Sequence, residues 1–114
     1  MDAELKNAPT LKDIREQNTG NILRSLLRSR ELVRNALAAE NQISIMTVKH
    51  IVDDLLAAGV VVERTGEGGE VGRKPRVLKI AEEYGHIVCL NLTSAGQTAV
   101  LIYDIYETLL ERRV

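Results

Sequence analysis

Aromatic residues and cysteine are scarce, and each shortage excludes a class of function. Tryptophan and phenylalanine are absent and tyrosine occurs three times in 114 residues, so a stacking platform for single-stranded nucleic acid is not expected. The single cysteine, Cys89, excludes an internal disulfide framework and favours a reducing, cytoplasmic location. No apolar run approaches the ~20 residues that span a bilayer, and the acidic first residues are not typical of a signal peptide, so no membrane partner is expected.

Neither sign of charge dominates, although the two parts of the chain differ. The 15 lysines and arginines nearly balance the 16 aspartates and glutamates, and the net charge is −1. Residues 1–80 carry a net charge of +2, and residues 81–114 carry a net charge of −3. The mild basic excess of the longer part permits a nucleic-acid partner without requiring one.

Helical periodicity begins after a short polar segment. Residues 1–10 are polar and end in Ala-Pro-Thr, which predicts a flexible tail. From Leu11 onward apolar residues recur at helical spacing, and Gly20 is expected to kink or divide this first helical segment. A second, shorter helix is predicted for residues 33–40, with Leu37 facing inward.

The most regular helix of the chain follows a three-residue connection. Ser44 is its predicted N-cap, because the serine hydroxyl can accept a hydrogen bond from the amide of Thr47. Gly59 is expected to end the helix. In between, apolar residues recur at the spacing of one helix face, at Val48, Ile51, Val52, Leu55 and Leu56.

A hairpin is predicted directly after this helix. Residues 60–64, which begin with three β-branched valines, and the later residues 75–80 are typical of paired strands. Four glycines between residues 65 and 72 predict a flexible loop. Helix, helix, turn, helix, strand, loop and strand is the order of elements in a winged helix-turn-helix domain. We assign residues 11–80 to such a domain.

A second module is predicted for residues 81–114. Strands at residues 86–92, 98–103 and 108–114 form an antiparallel β-meander, so the fold class is α+β. The first two strands are apolar on both faces, a pattern typical of strands that are covered on both sides. The remaining chain cannot cover both faces. We therefore expect an incomplete module that is covered by self-association, as a dimer, or by packing on the winged helix.

The candidate binding surface is the start of the capped helix, because such a helix fits the major groove of duplex DNA. Lys49 and His50 can donate to bases or phosphates, and Ile45 and Met46 can pack on thymine methyl groups. Arg73, in the hairpin loop, suits a narrow minor groove. The candidate DNA-binding residues are Arg34, Ser44, Ile45, Met46, Thr47, Lys49, His50, Arg73 and Lys74.

Three segments carry a resemblance to a known family: residues 44–59 (SIMTVKHIVDDLLAAG), residues 60–63 (VVVE) and residues 72–75 (GRKP). They resemble the N-terminal winged-helix region of ROK-family transcriptional regulators, a family whose name stands for repressors, open reading frames and kinases. Residues 85–92 and 99–104 resemble the opening meander of that family's actin-like sugar domain. The resemblance covers nearly the whole chain after the predicted tail.

The resemblance implies a function and a set of partners. The helix that begins at Ser44 is then the recognition helix, and the loop around Arg73 is the wing. Proteins of this family bind inverted-repeat operators in double-stranded DNA as homodimers, and a sugar bound in the C-terminal domain of the full-length protein alters DNA affinity. The chain is therefore expected to be an N-terminal fragment of a repressor of sugar-metabolism genes, without a sugar effector of its own.

Two departures from the family pattern bear on structure and chemistry. Gln42 stands in the turn between the helices where a glycine is common, so a left-handed backbone is expected at this residue. Residues 91–93 (NLT) stand where sugar kinases of this fold have an acidic, glycine-containing phosphate loop. This second departure argues against the use of ATP.

A winged-helix module that binds protein instead of DNA is the alternative. The modest charge and the apolar pair Ile45 and Met46 favour it. The sequence contains no recognisable pair of a nucleophile and a general base, so an enzyme is not expected. His86 and Cys89 are three residues apart on a strand and point to opposite faces, so neither a metal site nor a cofactor is expected. Cys89 is expected to be a small buried hydrophobic residue.

Overall fold

The computed structural model describes residues 8–66 and 74–114 as three α-helices and two antiparallel sheets, which confirms the predicted α+β class. Most of the tail predicted for residues 1–10 lies outside the described residues. The helices are α1 (Leu11–Ser29), α2 (Arg34–Asn41) and α3 (Ile45–Ala57). One sheet contains β1 (Val61–Thr65) and β2 (Arg76–Ile80), and after a 3-10 turn at Glu82–Tyr84 the other contains β3 (His86–Leu92), β4 (Thr98–Asp104) and β5 (Leu109–Arg113). In these two described ranges, no helix combines the length and the apolar character needed to cross a bilayer.

α1 is one continuous helix, so Gly20 does not divide this segment as one form of the prediction had it. Its start is fixed by a capping box. The Thr10 hydroxyl accepts from the Asp13 amide at 3.2 Å, and the Asp13 carboxylate accepts from the Thr10 amide at 2.9 Å. A glycine inside a helix costs about 1 kcal/mol relative to alanine. The complete burial of Ile22 and Leu26 on the same helix outweighs that cost.

The turn between α2 and α3 contains the expected left-handed residue. Gln42 has φ 54° and ψ 42°, a region in which a Cβ atom is crowded. Beside it, the Ile43 amide donates to the Ala38 carbonyl at 3.1 Å. The predicted cap of α3 is also confirmed, because the Ser44 hydroxyl accepts from the Thr47 amide at 3.1 Å.

One apolar core joins the three helices to the first sheet. Its buried side chains are Ile22, Leu26, Leu37, Val48, Ile51, Val52, Leu55, Val61, Leu78 and Ile80. Four of them form the apolar face of α3 that the helical spacing predicts. Because this face packs into the core, the opposite face and the first turn of α3 are exposed to solvent.

A backbone bridge ties the first sheet to the helices. β1 and β2 pair antiparallel, with Val61 opposite Ile80. Leu32, just before α2, bridges to Leu78 in β2. The Leu32 amide donates to the Leu78 carbonyl at 3.1 Å, and the Leu78 amide donates to the Leu32 carbonyl at 2.8 Å. The sheet and the start of α2 therefore share one backbone hydrogen-bond network.

The second sheet is the predicted meander, with strand order β3–β4–β5. Every residue of β3 is exposed, so the predicted burial of Cys89 is wrong, and packing on the winged helix does not cover this strand. The reason is the position of the sheet. The side chains that reach the core from this part of the chain are Ile105 and Tyr106, in the turn between β4 and β5. Coverage by a second copy stays a prediction.

Candidate nucleic-acid interface

The first turn of α3 presents an apolar pair beside two capping hydroxyls. Ile45 is 48% exposed and Met46 is 57% exposed, whereas Val48 is fully buried. The hydroxyls of Ser44 and Thr47 lie 2.8 Å apart, and the Ser44 hydroxyl also accepts from the backbone at the helix start. A ligand at this helix end would therefore meet apolar surface from the pair and hydrogen-bonding groups from the cap.

The predicted cation of α3 is paired within its own helix. Lys49 Nζ lies 2.7 Å from Asp53 Oδ2, one turn further along α3. The hydrogen bond from Lys49 lowers the pKa of the Asp53 carboxyl. Both side chains are about half exposed, and an exposed i,i+4 pair contributes only ~0.3–0.5 kcal/mol. A phosphate can therefore replace Asp53 as the partner of Lys49 at low cost.

The predicted cation of α2 is also paired, but across the fold. Arg34 Nη1 lies 2.5 Å from Glu63 Oε1 on β1. Arg76 Nε, at the first residue of β2, lies 3.4 Å from the same carboxylate oxygen. One carboxylate thus stands between two guanidinium groups that come from different elements.

Sequence reasoning missed both Glu63 and Arg76. A signal existed for Arg76, because it follows the basic residues 73–74 after one proline. No local signal marks Glu63, since its partner Arg34 is 29 residues away in sequence. Only the tertiary fold, in which Leu32 before α2 bridges to the sheet, brings the two side chains together.

The structure brings four of the predicted residues together and separates others. One shallow concavity is lined by Arg34, Ile45, Met46, Lys49, Asp53, Glu63 and Arg76. Lys74 lies beside Arg34 in an adjoining depression. Thr47 and His50 lie on the side of α3 that faces α1. Arg73, and with it most of the predicted wing loop, lies outside the described residues.

His50 lies in a groove between the starts of α1 and α3. Leu11 and Ile14 of α1 line the same groove, and an ion pair between Arg15 and Asp54 joins the two helices there. His50 is exposed at this groove. Its contact with DNA stays a prediction.

Within residues 8–66 and 74–114, no three side chains of the histidine, cysteine, aspartate and glutamate types are placed to hold one metal ion. His86 and Cys89 are both exposed on β3. Their odd spacing along the strand directs them to opposite faces of the sheet.

The elements now define a class of protein. Three helices, a left-handed turn before a capped third helix, and a two-stranded sheet bridged to the start of α2 form a winged helix-turn-helix domain, which an antiparallel meander follows. No protein-family model matches this chain, and no curated protein matches it by sequence. Its fold is similar to a crystal structure described as that of a ROK family transcriptional regulator, a homologue of the E. coli MLC protein.

This similarity confirms the predicted resemblance at the level of the fold. It covers 88% of this chain with a TM-score of 0.66 and 17% sequence identity. The chain spans 25% of the length of that regulator. A shared fold at this identity does not by itself carry a function, which has to be argued from the site.

Proposed function

We propose that this chain is the DNA-binding part of a transcriptional regulator and that it reads double-stranded DNA with the first turn of α3 in the major groove. One observation carries the proposal. The exposed pair Ile45 and Met46 shares a single concavity with the cations Arg34, Lys49 and Arg76. Apolar contact for base edges and cations for phosphates are the two elements that sequence-specific duplex binding requires.

Each side chain has a role in this proposal. Ile45 and Met46 pack on thymine methyl groups, and Lys49 leaves Asp53 to reach a guanine edge or a phosphate. Ser44 and Thr47 offer their hydroxyls and the free amides of the helix start to a phosphate. His50, on the α1 side of the helix, donates to a base or to the backbone. Arg73 and Lys74 contact DNA from the wing.

The finer identity rests on the resemblance to ROK regulators. We propose a repressor of sugar-metabolism genes that acts in the cytoplasm and binds an inverted-repeat operator as a homodimer. A sugar effector belongs to a full-length protein, and this chain carries no enzymatic activity. The exposed apolar strand β3 supports the dimer, because a second copy is one way to cover it.

The proposal is tested by selecting this chain against random duplex DNA and then measuring affinity against salt. A two-fold-symmetric site should be enriched. Affinity should fall with salt at a slope of about −0.9 per phosphate neutralised, or roughly −5 to −7 for a dimer that makes ~3–4 phosphate contacts per subunit. A selection that enriches no sequence, together with salt-independent weak binding, would overturn the proposal.

A matched pair of variants ties the binding to α3. Lys49→Glu should abolish enrichment of the selected site, because it places a carboxylate in the proposed groove contact. Arg112→Glu makes the same change of charge at an exposed position of β5, far along the chain from the winged helix. It should bind like the wild type. Equal losses of DNA binding in the two variants would indicate that the chain attracts DNA through its overall charge and not through α3.

A protein-binding module is the second candidate. The same exposed pair, Ile45 and Met46, favours it, since apolar surface suits a protein partner as well as thymine. This module would show little dependence on salt. It would also keep its binding after Lys49→Glu and lose it after Met46→Asp.

A further inference from the structure

Glu63 holds two arginines from different elements on one oxygen atom. Its Oε1 lies 2.5 Å from Arg34 Nη1 on α2 and 3.4 Å from Arg76 Nε on β2. The Glu63 side chain is 15% exposed and that of Arg34 is 27% exposed, whereas that of Arg76 is 69% exposed. A single carboxylate thus lies at the bottom of the concavity, with one guanidinium partly enclosed beside it and the other open to solvent.

The charges of this group do not cancel. One carboxylate opposes two guanidinium groups, so the cluster of Glu63, Arg34 and Arg76 keeps one positive charge. The distances use one N–H group of each arginine, and a guanidinium has five. Both arginines therefore keep donors for a further anion, and the planar fork of arginine suits phosphate oxygens.

The position of the cluster indicates which anion it binds. Ile45 and Met46 line the same concavity, so an anion bound by the two arginines lies beside the helix start that we propose for base contact. Lys49 and Asp53 complete the charged lining and already neutralise each other. In duplex DNA the anion next to a major-groove base edge is a backbone phosphate.

We infer that Arg34 and Arg76 form a two-armed clamp for one DNA backbone phosphate and that Glu63 is the positioning residue of the clamp. This inference rests on the proposed function. Glu63 binds no DNA itself. It holds the guanidinium of α2 and the guanidinium at the base of the wing in one orientation, so that a phosphate meets both arms already ordered.

A simpler role for Glu63 predicts the opposite result. If Glu63 only opposes the charge of DNA, then Glu63→Gln removes a repulsive charge and strengthens binding. If Glu63 positions the clamp, the same variant weakens binding to the operator although the surface becomes more positive. The direction of the change therefore distinguishes the two roles.

Asp53→Asn is the matched control, because it removes one negative charge from the same concavity and frees Lys49. Affinities for the selected site and for a random duplex are measured by fluorescence anisotropy across a salt series. We expect Glu63→Gln to weaken operator binding about tenfold and to weaken binding to the random duplex as well, because the clamp contacts a backbone phosphate that every duplex offers. We expect Asp53→Asn to strengthen binding to both duplexes about two- to threefold. A gain of operator affinity in Glu63→Gln would overturn the clamp.

Arg76→Ala provides a test that does not depend on a buried group, since this side chain is mostly exposed. It should reduce the salt slope by about 1 per subunit. Adding Glu63→Gln to Arg76→Ala should cause a smaller loss than Glu63→Gln causes alone, because one arm is already gone. An unchanged slope in Arg76→Ala would overturn the clamp even if Glu63→Gln fails to fold. If the wild type binds no duplex, the proposed function and the clamp both fail, whereas normal operator binding with an unchanged Arg76→Ala slope removes the clamp alone.

Discussion

The hydroxyl of Tyr106 donates a hydrogen bond to the backbone carbonyl of Ile80 at 2.9 Å. Ile80 is the last residue of β2, and Tyr106 lies in the turn between β4 and β5. Arg30 is the residue at the C-terminal cap of α1. Its guanidinium carbon lies 5.1 Å from the centre of the Tyr106 ring. The Tyr106 side chain thus attaches the meander both to the sheet of β1 and β2 and to the C-terminal end of α1.

Removal of the Tyr106 hydroxyl should loosen this attachment. Tyr106→Phe keeps the ring and its contact with Arg30 but leaves the Ile80 carbonyl without this donor. We expect the free energy of unfolding to fall by about 1 kcal/mol, measured by urea denaturation. Proteolysis within residues 81–85 should become faster. Tyr84→Phe, at an exposed tyrosine, is the control and should change neither quantity.

The same tyrosine predicts a loss of stability in alkali. Burial raises the pKa of the Tyr106 hydroxyl above its ordinary value. In the unfolded chain this group ionises near pH ~10, whereas in the folded chain it stays protonated to a higher pH. Its contribution to stability is therefore complete below about pH 10 and is lost as the pH rises through the folded pKa. Urea midpoints between pH 9 and 11.5 should fall more steeply for the wild type than for Tyr106→Phe, and parallel curves would contradict this assignment.

The left-handed turn offers a stabilising substitution. A side chain at φ 54° crowds its own backbone, at a cost of roughly 1–2 kcal/mol, and glycine removes that crowding while losing part of the gain to chain entropy. Gln42→Gly should raise the free energy of unfolding by up to about 1 kcal/mol, seen as a higher melting temperature. Gln42→Val, with a branched Cβ in the same turn, should lower it. The reverse order of the two variants would exclude strain at this position.

The short helix α2 depends on one core side chain. Leu37 is its fully buried residue, and the Val33 side chain provides no hydrogen bond to cap the helix start. Leu37→Ala should lower the free energy of unfolding by about 2–5 kcal/mol, because it removes apolar contact and leaves a cavity. Leu110→Ala on the exposed part of β5 removes the same atoms and should cost less than about 0.5 kcal/mol. Similar losses in the two variants would contradict the burial pattern.

The features predicted correctly from the sequence have causes within a few residues. The cap of α3 requires only Ser44 and the amide three residues later, and the apolar face of α3 follows from the helical repeat. The left-handed turn at Gln42 follows from the tight connection between two helices. The start and end of each strand agree with the prediction to within one or two residues for the same reason.

The features that were missed depend on residues distant in sequence. Gly20 does not divide α1, because Ile22 and Leu26 after it pack into the core and the ion pair between Arg15 and Asp54 before it joins the helix to α3. Cys89 is exposed because the meander meets the core through its turn and not through its strands. The pairing of Arg34 with Glu63 cannot be predicted from the residues near either one, because 29 positions separate them. Arg76 had a local signal in the basic residues 73–74 that precede it, but its contact with Glu63 also depends on the tertiary fold.

The two hydrogen bonds between Leu32 and Leu78 have a consequence for how this domain can diversify. They attach β2 to the segment before α2 at Leu78, inside the strand and outside the segment that joins β1 to β2. Residues inserted or deleted in that joining segment leave these two hydrogen bonds in place. Related chains can therefore differ in the length of the wing and keep the same attachment of the sheet to the helices.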